Sequence, residues 1–200
     1  MSRAVAPPSG RLGGIEGNET LTSAVAVVLV VLLAAEGVTI LMMRPLLREH
    51  MFIGLVLVPP VLMKLASTGY RFARYYTGSR AYREKGPPAL PLRLLAPVLV
   101  AATLGVFATG VALLLIGHRS RTVLELHKIT FIVWGVFFVV HFLWHLPRAW
   151  RAASFHWRAS RPDRRPGSTL RALAVTATIG GGFALALVLL AQIDAWQRGH

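Results

Sequence analysis

Five runs of apolar residues, each about twenty long, follow one another along the chain with polar or proline-bearing stretches between them. They cover about 21–43, 50–70, 94–117, 126–146 and 170–193. Each run is continuous rather than alternating, which predicts helices and not barrel strands. Each also meets the roughly 20 helical residues needed to cross a hydrocarbon core of about 30 Å. The pattern predicts an all-α membrane protein, a bundle of five transmembrane helices. Residues 1–20, rich in Gly and Pro, are expected to form a disordered tail, and 21–196 a single transmembrane domain. The first run is too long for the core of a cleavable signal.

The few ionisable residues inside these runs are regularly spaced. His50 and Lys64 stand fourteen residues apart in the second run, and His127 and His141 fourteen apart in the fourth. On an α-helix that interval is almost four turns, so each pair shares one face at two depths about 21 Å apart. Runs two and four cross in the same direction, which sets His50 level with His127 and Lys64 level with His141. Facing imidazoles at matched depth suit the two axial positions of a haem iron. Taken singly, a histidine at a helix end is more often an interfacial hydrogen-bonding group. The matched depth makes the pair a candidate.

Three further residues stay open between roles. His145 lies five turns after His127 on the same face, and with His141 forms an i, i+4 pair that could hold a metal, although no carboxylate lies nearby to complete a site. Lys64 could ligate a second haem, snorkel to the inner interface, or pair with a haem propionate or a quinone head group. Glu36, a lone carboxylate in the first run, is nearer the depth of His50 than of Lys64. It could orient an outer histidine through the ring nitrogen not bound to iron, pass protons to a quinone, or hydrogen-bond across the bundle. Pro59-Pro60 predicts a kink between His50 and Lys64. Small residues such as Gly105 and Gly110, and the run Gly180-Gly181-Gly182, predict close helix packing or room for a porphyrin face.

Charge orients the bundle. There are 22 lysines and arginines against 8 acidic residues, a net +14, a balance that by itself would admit a nucleic-acid partner. The distribution argues otherwise. The N-terminal stretch and the loops 71–93 and 148–171 hold most of the basic residues, while Arg44, Arg48, Arg119, Arg121, Lys128 and Arg198 fall on the opposite side. This positive-inside pattern predicts a multi-pass protein of the cytoplasmic membrane, N-terminus in the cytoplasm and C-terminus outside, with basic loops against anionic lipid. Tyr75, Tyr76 and Tyr82 in one loop, and Trp150, Phe155 and Trp157 in the other, read as interfacial anchors, with Pro87-Pro88 ending an extended second helix. The absence of cysteine excludes disulfides, thiolate metal sites and iron–sulfur clusters. Nothing supports hydrolytic chemistry: no carboxylate pair within a span, no Gly-x-Ser-x-Gly, no phosphate-cradling loop and no His-Glu-x-x-His.

With these residues the chain resembles the cytochrome b561 and di-haem membrane cytochrome b superfamily, which includes membrane subunits of quinone-linked oxidoreductases. The resemblance covers about 50–146 and rests on His50-x-x-x-Gly54 opening one helix and on His127 with His141 on another. It implies a four-helix haem-binding core and electron transfer between an extracytoplasmic redox protein and the quinone pool. His50 and His127 would be axial to the iron of haem b. The family pattern expects a histidine where this chain has Lys64, so one haem is expected rather than two. Two other classes remain: a non-catalytic membrane subunit or scaffold whose polar residues specify packing, and a small proton-coupled transporter using Glu36 and Lys64. The odd span count and the lack of a visible inverted repeat weigh against transport.

Overall fold

A computed structural model describes residues 14–84, 86, 89–116, 120–158 and 167–198, with the backbone alone for 148–158. The described elements are all helical: α1 (Gly14–Leu41), α2 (Met43–Tyr76), a short α3 (Arg80–Glu84), α4 (Leu90–Ile116), α5 (Arg121–Arg158), α6 (Ser168–Val188) and α7 (Leu190–Arg198). Five of them are long and apolar enough to cross a membrane, as the continuous runs predict.

The helix ends differ from the apolar pattern, for polar reasons. The α1 helix begins at Gly14, so residues 14–20, expected in a disordered tail, are helical; the rest of that expected tail, 1–13, lies outside the described residues. What fixes these first turns is hydrogen bonding, which an apolar window does not register. Asn18 Nδ2 donates to the Ser67 carbonyl at 3.2 Å, and Arg71 lies 3.6 Å from Glu19. The α5 helix runs on through Pro147 to Arg158, where an interfacial turn is expected. The side chains of Trp150, Phe155 and Trp157, together with Pro87 and Pro88, lie outside what is described. The fifth run is broken at Leu189 (φ −94°, ψ 10°) into α6 and α7.

Helices α1 and α2 form a tight antiparallel hairpin through Met42. The non-helical dihedrals inside α2 fall at Leu46 (φ −111°, ψ 21°), just after Pro45, and not at Pro59-Pro60. The chain thus stays helical through the proline pair, and the departure from helical dihedrals comes at the hairpin turn. Packing accounts for the continuity at the prolines: Val56 and Leu57 are each 2% exposed, and Pro60 is among the most completely buried side chains. Pro60 leaves the Val56 carbonyl without its helical donor. At that carbonyl α6 approaches, since a Cβ on Gly182 would collide with the Val56 backbone.

The α2 helix is the hub of the bundle. It packs against α1 and α6, and to a lesser extent against α4 and α7. A core of Leu55, Val56, Leu114, Ala186 and Ile193 joins α2, α4, α6 and α7 at the His50 end. There Arg48 Nε donates to Asp194 at 3.0 Å, and Trp196 Nε1 donates to the Leu113 carbonyl at 2.9 Å. A second antiparallel hairpin, α4–α5, completes the bundle. The α5 helix packs extensively only on α4, and none of its described side chains is buried.

Candidate functional site

The two hairpins place a histidine in equivalent surroundings. His50 lies near the start of α2, and its Nδ1 is 2.8 Å from Glu36 Oε1 and 3.1 Å from Thr39 Oγ1, both on α1. The Thr39 hydroxyl donates to the Glu36 carbonyl at 2.6 Å. Its single proton is thus committed, so Thr39 accepts from the ring, as the carboxylate does. Both oxygens call for the proton on Nδ1, which in a neutral ring leaves Nε2 as the acceptor nitrogen. The pair sits within the packing, His50 being 20% and Glu36 12% exposed, with Thr39 3% exposed beneath it.

His127 repeats the arrangement on the other hairpin. Its Nδ1 is 3.0 Å from Thr109 Oγ1 on α4, and Thr109 donates to the Gly105 carbonyl at 2.7 Å. The same reasoning puts the proton on Nδ1. The ring lies over Gly110, where a Cβ would stand 3.2 Å from Cε1, so any larger residue presses on the imidazole. No partner for His50 Nε2 occurs among the described residues, and the Val106 carbonyl of α4 is a second oxygen against the His127 ring. The two histidines belong to helices that share no extensive contact, yet His127 lies within electrostatic range of His50.

The other level is built differently. Lys64 Nζ donates to the Thr22 carbonyl of α1 at 2.9 Å. Ser67 donates to the Lys64 carbonyl at 3.1 Å, and its hydroxyl meets that of Thr22 at 3.1 Å. Lys64 is thus tied to the α1 backbone through one of its N–H groups. His141 is within electrostatic range of both Lys64 and His145, but its ring makes no hydrogen bond among the described residues. It packs on the His145 ring at 4.4 Å between centroids, and His145 Nδ1 donates to the His141 carbonyl at 2.9 Å. No group of three or more metal-ligating side chains occurs among the described residues, so the i, i+4 histidine pair has no third ligand.

Between the two levels α5 carries an aromatic strip. Phe131, Trp134, Phe138 and Phe142 follow His127 at three- and four-residue steps, which keeps them on its face. They stack in sequence, with ring centroids 6.0, 4.6 and 5.8 Å apart. A groove of about 360 Å³ near Arg121, Glu125 and Ile129 lies on the opposite side of α5 from His127, by the same periodicity.

Six sequence candidates therefore resolve into two groups. Glu36, His50 and His127 belong to one level, with Glu36 in direct contact with His50. Lys64, His141 and His145 belong to the other. Thr39 and Thr109 are the histidine partners that the apolar pattern does not reveal. Their signal is positional: each is a hydroxyl late in the first helix of a hairpin whose second helix opens with a histidine. Comparison with family models, curated proteins and solved structures finds no match.

Proposed function

We propose that the chain is an integral-membrane b-type cytochrome, with haem b held by His50 and His127, that carries electrons between an extracytoplasmic redox protein and the membrane quinone pool. One observation carries the reading. Two imidazoles on helices that share no extensive contact each have Nδ1 held by an oxygen of their own hairpin. The donor set fits the group: two neutral imidazoles for one iron, and no cysteine for covalent attachment. Haem supplies one-electron transfer when bound.

The remaining chemistry belongs to the chain. Glu36 and Thr39 hold the His50 ring in one tautomer, and the carboxylate adds electron density to that imidazole, which favours the oxidised iron. Thr109 orients His127 with a neutral oxygen, so the two ligands are electronically unequal. Phe131 and Trp134 give α5 an apolar wall on the ligand face and exclude water from it. The basic residues gathered around the Tyr76 end support a cytoplasmic position for that end and an external one for the His50 level.

The test is a reduced-minus-oxidised absorption spectrum of the purified chain, expected to be b-type. If His50→Ala and His127→Ala both leave it unchanged, the reading fails. A second reading has support in the same hydrogen bonds: each histidine ties together the two helices of its hairpin, as it would in a scaffold subunit without cofactor. A purified chain with no chromophore would favour that alternative.

A further inference from the structure

The α2 helix ends in a tight turn at Gly78, whose φ of +90° lets the chain pass directly into α3. Ser79 N donates to the Arg74 carbonyl at 3.1 Å, and Arg83 N to the Ser79 carbonyl at 3.0 Å, which fixes the backbone on both sides. Two guanidinium groups reach this turn, one from each helix. Arg74, in the last turn of α2, has Nη2 3.5 Å from the Ser79 hydroxyl. Arg83, in α3, has Nη2 3.5 Å from the position that a Cβ on Gly78 would occupy. The neighbouring arginines already face acids: Arg71 lies 3.6 Å from Glu19, and Arg80 donates to Glu84 at 2.9 Å. Arg74 and Arg83 have no carboxylate partner among the described residues, and both are exposed.

Just before the turn, α2 presents aromatic rings. Phe72 and Tyr76 are 65% and 58% exposed, and they pack on each other at 4.5 Å between centroids. Since α2 is long and apolar enough to cross a membrane, rings at its end stand where tyrosine sits at head-group level. The turn thus joins two planar cations and a hydroxyl to an apolar surface that faces lipid.

The complementary ligand is a phosphate carrying a hydrocarbon body. Guanidinium groups hold phosphate through paired N–H donors. A soluble phosphate would engage the arginines but leave the rings without a role, and a zwitterionic lipid would bring its own cation against them. We propose that the α2–α3 turn binds the head group of one anionic phospholipid, with Arg74, Arg83 and Ser79 on its phosphate and Phe72 and Tyr76 beside its acyl chains. Diffuse attraction of the basic loops to an anionic leaflet acts on every exposed arginine alike; this site singles out two. It does not depend on haem.

The experiment is native mass spectrometry of the full chain in detergent with added phosphatidylglycerol, with phosphatidylcholine and inorganic phosphate as parallel arms. One phosphatidylglycerol per chain is expected to stay bound, phosphatidylcholine to bind more weakly, and excess inorganic phosphate to leave the lipid in place. Arg74→Gln and Arg83→Gln should each weaken phosphatidylglycerol binding about tenfold, the loss expected for one hydrogen bond to a charged group. Arg80→Gln removes the same charge from an arginine that Glu84 already holds, and should bind as the wild type does. Arg74→Lys keeps the charge without the planar fork and should fall between wild type and Arg74→Gln. All three arginines are exposed, so thermal melts of the variants should match the wild type. The site is overturned if phosphatidylcholine binds as tightly as phosphatidylglycerol, or if inorganic phosphate displaces the lipid. It is equally overturned if Arg74→Gln and Arg83→Gln bind as the wild type does, or if Arg80→Gln weakens binding as much as they do, which would reduce the turn to diffuse attraction.

Discussion

At the His50 level each imidazole is fixed by an oxygen from its own hairpin, through Glu36 and Thr39 on one side and Thr109 on the other. At the Lys64 level the amine is fixed but the imidazole facing it is not. The same fourteen-residue spacing underlies both levels, and the same two helices carry them. What separates the levels is which atoms already have partners. On the proposed reading, the two rings fixed through Nδ1 suit a metal ion, which tolerates little misplacement.

The largest expected effect would break this contrast outright. His50→Ala or His127→Ala should abolish the b-type spectrum, while His141→Ala leaves it at wild-type intensity; a loss caused by His141→Ala would make the two levels equivalent. Next comes Glu36→Gln, which keeps the shape and removes the charge. Haem affinity should fall about 10- to 100-fold, as for other residues that hydrogen-bond to a ligand. The midpoint potential should rise, since a carboxylate beside the ligand favours the oxidised state; redox titration would reveal the sign.

Gly182→Ala comes third. The added methyl meets the Val56 backbone between the two levels of α2, and overpacking of this kind costs about 1–3 kcal/mol. Thermal melts should show the loss, and both levels should weaken together, because they share α2. Lys64→Met is the smallest. It removes an interhelical hydrogen bond worth about 0.6–1.7 kcal/mol in membrane helices, and the haem spectrum should not change. A shifted Soret band in that variant would place Lys64 with the iron.

The five spans are legible in the chain because membrane crossing requires about twenty apolar residues, and a run of that length has few other uses. Their ends are less legible. Asn18 and Glu19 extend α1 through polar contacts with Ser67 and with Arg71, residues about fifty positions away, and no local window contains that information. At Pro59-Pro60 the loss of two backbone donors is legible in the sequence, but not the packing against α1 and α6 that keeps α2 helical through the pair. In the candidate site, depth follows from helical rise, so His50, His127, Lys64 and His141 sort correctly into two levels. Contact between Glu36 and His50 is suggested by depth alone. The threonines are not, because a hydroxyl bonded to its own helix carbonyl looks in sequence like any small membrane residue.

The hydrogen bonds from Nδ1 have a consequence for biogenesis. Each histidine finds its oxygen on the helix made just before its own, so each hairpin emerges from synthesis with its imidazole donor already matched. Neither hairpin has to wait for the other to match that donor before entering lipid. The two can be inserted in turn and meet where α2 packs against α4.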